Sequence, residues 1–321
     1  VTGEADHRVD PGDEGRHRPE DDELWNESYY LDFVVGEGTL AGYVRIGLYP
    51  NLGVTWWTTM VVGAGRPTVA SVAYDLPPPR GGGLAVGHDR FTVAGEVVHP
   101  LTTMRVTATA PATVLPDPAA AYGGDSGAPT SLELDLTWST DGQPYHYLLT
   151  TRYEIPCLVT GTVTVGDEQM TVSGSGQRDH SWGGRDWWAF GWCWAAARLD
   201  DGTRLHFADI RMPGQSIAFG YLQAPDGAVG SVETVAMEEE LGHSFLPLSG
   251  HARIEPQGLA VEIRPIAFGP LLLVAPDGRA TRFPRAAARF VTDDGRSGVG
   301  WIEWNQPELP APLSGPAPSG R

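Results

Sequence analysis

A carboxylate placed among aromatic rings is the pattern in this sequence with the most chemical content. The stretch GQRDHSWGGRDWWAFGWCW, Gly176 to Trp194, holds five of the eleven tryptophans together with Asp179, His180, Arg185 and Asp186. It runs into GWCWAAARLDDGTRLHFADIRM, which reads as a β-hairpin turning at Asp201-Gly202. A two-residue turn there pairs Asp200 with Thr203 and sets Trp194 opposite Asp209. Strand alternation then gives one face made of Trp192, Trp194, Ala196 and Arg198, joined by Leu205, Phe207, Asp209 and Arg211. The other face carries Cys193, Ala195, Ala197, His206, Ala208 and Ile210. Surrounded by rings, Asp209 would be desolvated and hold its proton near neutral pH. Such an acid can protonate a carbon–carbon double bond while the ring quadrupoles stabilise the resulting cation. Two alternatives stay open. An ion pair with Arg211, two residues further along the same face, would keep Asp209 ionised, and a three-residue turn would make Cys193 its partner.

Other residue types add to this pattern. His180 can orient a substrate oxygen or relay a proton, or else be a junction histidine bonded to backbone. Trp182 either packs or stacks on substrate. Asp179, Arg185 and Asp186 read as an ion-pair cluster fixing the Gly183-Gly184 turn. Tyr29 and Glu27 are candidates for a pocket, and Trp56 and Trp57 point to opposite faces of one strand. The histidines form neither His-Glu-x-x-His nor His-x-His, so no metal is expected. The triple glycine at Gly81 opens no helix pattern, which speaks against a nucleotide cofactor. GDSG at Gly124 sits in a loop without the partners of a serine nucleophile.

The elements that must hold these residues are strands. Glycine and proline are abundant (41 and 27), apolar runs are short, and hairpin patterns succeed one another. Turns are expected at Pro50 to Gly53, Asp141-Gly142, Gly166-Asp167 and Asp201-Gly202, and later at Asp226-Gly227, Asp277-Gly278 and Asp294-Gly295. Sliding the chain by 149 residues superposes Gly42-Tyr43 on Gly191-Trp192 and Gly53 on Gly202, a weak internal repeat. The expected organisation is a disordered acidic segment over 1–22, a β-domain over 23–165, a second over 166–306, and a Pro-rich tail over 307–321.

A net charge of -18, with arginine the only strongly basic residue type, argues against nucleic acid and anionic membrane surfaces as partners. No apolar run is long enough for a membrane-spanning helix, and the acidic start has no signal-peptide core. With two cysteines and no disulfide framework, a cytoplasmic location is the expectation.

GSGQRDHSWG (Gly174 to Gly183), followed by HFADIR (His206 to Arg211), resembles the hydroxyneurosporene synthase family, the carotenoid 1,2-hydratases. That family shares its fold with AttH-like proteins and lipocalin-type Diels–Alderases. LWNESYYLDF and GYVRIGLYPN resemble an actinobacterial branch of the superfamily. The resemblance spans about residues 22 to 305 and implies an all-β fold of two tandem lipocalin-like antiparallel β-barrels. It implies that Asp209 is the proton donor and that His180 and Trp182 belong to the site. Phe207 stands where the hydratases carry tyrosine, which puts hydration in doubt more than protonation. The resulting expectation is a cofactor-free enzyme on a hydrophobic polyene, terpenoid or polyketide, performing hydration, isomerisation or cyclisation. Asp209 and His180 would be catalytic, with Trp182, Trp192, Trp194, Phe207, Arg211, Tyr29 and Trp56 around the substrate. The alternatives are a non-catalytic carrier of an apolar ligand and a pericyclase acting by orientation alone.

Overall fold

The computed structural model of the chain describes residues 6–123 and 127–308. Apart from two short 3₁₀ turns, Pro11–Glu14 and Pro118–Tyr122, its regular elements are strands, and these form two large antiparallel sheets. No described helix is long and apolar enough to cross a membrane.

The first sheet runs Thr68–Leu76, Val54–Val62, Leu40–Tyr49, Trp25–Val35, Glu168–Gly184, Arg152–Val165, Ala128–Thr140, Thr103–Leu115, Phe91–His99 and Val86–His88. A short pairing of Thr68–Ala70 with Thr113–Leu115 links distant strands of this order. The second sheet runs Val229–Ser231, Gln215–Gln223, Arg204–Met212, Gly191–Leu199, Ser297–Pro307, Arg285–Thr292, Leu259–Phe268, Pro247–Glu255 and Thr234–Leu241. The two hairpins superposed by the internal repeat occupy comparable places, one in each sheet.

Alternation gives each sheet two working faces. Tyr29, Leu31 and Phe33 of the first sheet, with Val44, Ile46 and Trp57, enclose that sheet's own core. Cys193, Ala195, Phe207, Ile302 and Trp304 do the same for the second. The opposite faces meet each other. Tyr30, Val34, Tyr43 and Met60 of the first pack against Trp194, Ala196, Ala287 and Trp301 of the second, a buried seam between the sheets. Burying several large aromatic side chains there is worth roughly 1.5–3 kcal/mol each, so the seam contributes substantially to holding the sheets together.

Three expectations need revision. The sheet boundary does not fall at 165/166. Gly166-Asp167 is the turn of a hairpin inside the first sheet, pairing Val165 with Glu168, and the strand carrying the Asp-His-x-Trp motif closes against Trp25–Val35. The chain crosses between sheets after Gly184. Residues 6–22 are not a disordered arm; Val9 joins the first core, and buried Glu14 pairs with Arg178 at 2.8 Å. High charge misled here because each of several charged groups has a specific partner on the sheet. Finally, Asp141-Gly142 is no tight hairpin turn, since the chain makes an excursion through Tyr145–His146 before pairing resumes at Cys157 with Thr140. Residues 1–5, most of the Pro-rich tail and most of GDSG lie outside the described residues.

Candidate functional site

The turn at Asp201-Gly202 decides where Asp209 points. Leu199 N–H donates to the Thr203 carbonyl and its own carbonyl accepts from Gly202 N–H, so the loop holds Asp200, Asp201 and Gly202. Gly202 takes φ +91, and the Asp201 carboxylate accepts the Thr203 N–H at 2.8 Å. This is a three-residue loop with glycine in its left-handed position, which the Asp-Gly pair serves as well as a two-residue turn. The register therefore pairs Cys193 with Asp209 and Trp194 with Ala208. One residue of slip exchanges the faces. Asp209, Phe207 and Arg211 lie with Cys193 on the core face of the second sheet, while Trp192 and Trp194 lie on the seam. Asp209 Oδ2 accepts from Arg211 Nε at 2.9 Å, and Arg211 also forks onto Glu239. The carboxylate is an ion-pair partner, separated from the tryptophans that an acid role required.

His180 occupies a different place. Tyr29, His180 and Tyr153 are direct partners across three strands, so all three project from the core face of the first sheet. Tyr29 stacks on His180 with ring centroids 4.0 Å apart. Glu27 Oε1 accepts from His180 Nε2 at 2.9 Å and from His17 Nδ1 at 2.7 Å. His17, in the strap that precedes the first strand, stacks on Trp182 at 3.7 Å. The two histidines and Glu27 are the one group among the described residues whose donor atoms gather within 4.8 Å as metal ligation requires. They come from three separate segments, which is why no motif announces them. His180, Trp182 and Tyr29 are thus brought together, with Glu27, and apart from Asp209.

The seam holds the third arrangement. Tyr30, Tyr43, Thr58 and Tyr74 share the first sheet's outer face, as the pairings of Tyr30 with Arg45, Arg45 with Thr58, and Thr58 with Val72 require. Across from them, Arg285 sets its guanidinium carbon 4.4 Å from the Tyr43 ring centre and 5.3 Å from that of Phe283. Arg285 contacts Glu303, whose Oε1 also lies 3.4 Å from Trp192 Nε1. Burial by itself disfavours the Arg285 cation, but Glu303, Tyr43 and Tyr30 outweigh it and hold the group charged. Burial raises the phenols of Tyr43 and Tyr74, which remain donors. The Trp56 ring lies 4.2 Å from that of Tyr49, tilted by 34°, and meets Tyr74 edge-on at 5.0 Å. Among the described residues, Tyr43 Oη, Tyr74 Oη, Thr58 Oγ1 and Arg285 Nη1 are buried side-chain atoms that lack a well-formed hydrogen bond, with Tyr43 facing both Arg285 and Thr58. Each unmade bond costs about 1–3 kcal/mol, more for the charged group. Native folds tolerate such groups mainly where something else completes them.

A second polar network lies further along the same seam. Glu154 accepts from Arg152 at 2.8 Å, Gln177 at 2.9 Å and Trp194 Nε1 at 3.0 Å. His206 Nδ1 lies 2.9 Å from the Ala195 carbonyl, which makes it the protonated nitrogen, and Nε2 receives the Tyr147 hydroxyl at 2.6 Å. Burial pushes His206 down to about 4, against the attraction of Glu154. Burial raises Asp179 to about 7, opposed by Arg152 and reinforced by Glu154. Burial also raises Asp32, which lines a cavity of about 10 Å³ with Gln177 and Arg204, room for about one water. Because its donors and acceptors are largely matched, this network reads as polar cement between the sheets.

Of the residues singled out from sequence, Trp192 and Trp56 reach the aromatic part of the seam, and Trp194 reaches the Glu154 network. Tyr43, Tyr74, Arg285 and Glu303 were not anticipated. Each alone is an ordinary strand residue, and only the packing of one sheet on the other unites them.

Comparison with known proteins follows the same architecture. A family model described as "Domain of unknown function (DUF7064)" matches residues 10–308. No curated protein matches the chain in sequence. Among solved structures, a candidate AttH of Nitrosomonas europaea superposes with TM-score 0.60 at 17% identity, covering 95% of this chain and 98% of that one. CghA in complex with Sch210972 gives 0.58 at 12% identity, covering 89% of each chain. Kievitone hydratase of Nectria haematococca gives 0.58 at 11% identity, covering 87% of this chain and 88% of the other. At these identities the likeness is one of fold.

Proposed function

The chain belongs to the DUF7064 family, and from that premise we propose that it is a cofactor-free enzyme transferring protons on a flat, hydrophobic, carbonyl-bearing small molecule held in the seam between its sheets. Each sheet, in this reading, curls into a lipocalin-like barrel, and the seam between them is the working surface.

The carrying observation is a cluster of buried donors whose hydrogen bonding is incomplete, Tyr43 Oη, Tyr74 Oη, Thr58 Oγ1 and Arg285 Nη1, within aromatic walls. A pocket that is mostly aromatic with a few convergent polar groups is the general form of a small-molecule site. The walls are in contact in this conformation, so admission of substrate requires them to part by about the thickness of a conjugated ring. A carbonyl oxygen set between Arg285 and the tyrosines completes their hydrogen bonds, and more strongly so as it gains enolate charge. Glu303, beside Arg285 and Trp192, is positioned to take a proton from the carbon next to that carbonyl and to return it elsewhere along the conjugated system. Isomerisation and ring closure can proceed through such a species, and conjugate addition of water to an enone produces one that Glu303, once protonated, can quench. The reading accords with solved relatives of the same fold that include a kievitone hydratase and a complex with Sch210972.

The test uses β-ionone, an apolar conjugated ketone, in heavy water. The protein is expected to accelerate deuterium incorporation next to the carbonyl, and Glu303→Gln to lower that rate about 100-fold. Exchange at the same rate with and without protein would overturn the reading.

A further inference from the structure

We propose that His17, Glu27 and His180 bind one divalent metal ion of the zinc type, at a site independent of the seam. Two imidazole nitrogens and a carboxylate oxygen already converge, with Glu27 Oε1 at 2.7 Å from His17 Nδ1 and 2.9 Å from His180 Nε2. Glu27 and His180 are each 1% exposed, so the site is nearly dry on the sheet side, while His17 is 22% exposed and faces the strap side. Zinc takes such donors at about 2.0–2.2 Å, which places tetrahedral ligand atoms about 3.3 Å from one another. Opening the present contacts by about half an ångström makes that room.

The surroundings are those of a metal site. A ligating histidine needs its second ring nitrogen held by an acceptor, and both rings have one. His180 Nδ1 lies 3.2 Å from the Tyr153 hydroxyl, and His17 Nε2 lies 3.5 Å from Asp13 Oδ1. Ring orientation is fixed by stacking, of Tyr29 on His180 and of Trp182 on His17. The proton accounting also works. In the metal-free state both rings point an N–H at the same carboxylate oxygen. With one proton on each ring, entry of the ion requires only that this proton move to the opposite nitrogen. His180 then donates to Tyr153, whose hydroxyl turns to the adjoining Glu14, and His17 donates to Asp13. No net proton need leave.

The site joins the strap to the first sheet, since His17 belongs to the strap and the other two ligands to paired strands, Glu27 opposite Trp182 and Tyr29 opposite His180. Metal binding is therefore expected to lock the strap, and this gives a readout unrelated to turnover. The chain has no lysine, and before the first strand the exposed Arg16–His17 bond is a trypsin site distinct from Arg8–Val9 upstream, whereas Arg18 precedes proline.

The experiment takes the full chain, dialysed against chelator, and titrates it with zinc chloride by calorimetry while following trypsin cleavage after Arg16. One ion per chain is expected, with cleavage slowed at least tenfold. His17→Ala, which removes a partly exposed ligand and spares the core, is expected to weaken binding about 100-fold and abolish the protection. Glu27→Gln, nearly the same shape, is expected to weaken it comparably. Absence of binding by the unaltered protein overturns the proposal. So does binding that neither substitution weakens, which would mark adventitious association with surface carboxylates.

Discussion

The guanidinium carbon of Arg285 stands 4.4 Å from the centre of the Tyr43 ring, placing a buried cation of the second sheet on an aromatic face of the first. The contact joins the two halves of the molecule at the point where incompletely bonded donors gather.

Arg285 and Glu303 are 3% and 8% exposed. Arg285→Met strands the Glu303 carboxylate in the seam and is expected to cost about 3–5 kcal/mol in urea denaturation. The double change Arg285→Met with Glu303→Leu removes both charges and is expected to recover most of that loss. Equal losses in the single and double variants would contradict a coupled pair.

Tyr43→Phe separates binding from folding. The contacts of the hydroxyl with Arg285 and Thr58 fall short of well-formed hydrogen bonds, so its removal is expected to leave stability within about 1 kcal/mol. Retention of β-ionone in equilibrium dialysis is expected to fall about tenfold, the worth of one hydrogen bond to a charged or polarised oxygen. Unchanged retention would exclude the Tyr43 hydroxyl from the site.

Asp209→Asn tests the assignment of that carboxylate to structure. The change weakens the bond to Arg211 and is expected to lower stability by about 1–3 kcal/mol, the range for a charge-assisted hydrogen bond. Deuterium exchange on β-ionone is expected to remain within twofold of the unaltered protein. A loss of exchange comparable to that of Glu303→Gln would return Asp209 to the chemistry.

His206 supplies a pH signature. Its folded value of about 4 lies below the ordinary 6.5, so the unfolded chain takes up the proton first as pH falls. Its contribution is complete above about pH 6.5 and is lost as pH falls through 4, a change on the order of 3 kcal/mol. The difference between the stability curves of the unaltered protein and His206→Gln is expected to shrink over that interval. A flat difference would mean that His206 titrates normally.

Much of the architecture was legible because it is local. Alternating apolar positions, Asp-Gly and Gly-Asp turns and the repeat of hairpins are short-range signals, and they yield two antiparallel sheets. His180 and Trp182 share a strand face by alternation alone, and both lie where that spacing puts them. For Asp209 two alternatives stay open in the sequence, and the structure has the three-residue loop, with Cys193 opposite and Arg211 as ion-pair partner. Asp201-Gly202 suits a two-residue and a three-residue loop equally, and only pairing along the whole strand distinguishes them. The Tyr43–Arg285 contact had no local signal at all, because it depends on which outer faces of two sheets meet. His17 was hidden by composition: a segment rich in charge resembles a disordered arm until its partners Glu27, Arg178 and Asn51 are in place.

The most direct measurement is a crystal structure of the protein with β-ionone. The ring and chain of the ketone are expected between the aromatic walls of the seam, with its oxygen within about 3.2 Å of Arg285 Nη1 or Tyr43 Oη, the outer limit of an ordinary hydrogen bond. Density for the molecule inside the core of either sheet, or a seam that stays closed and empty at saturating ligand, would contradict the proposed function.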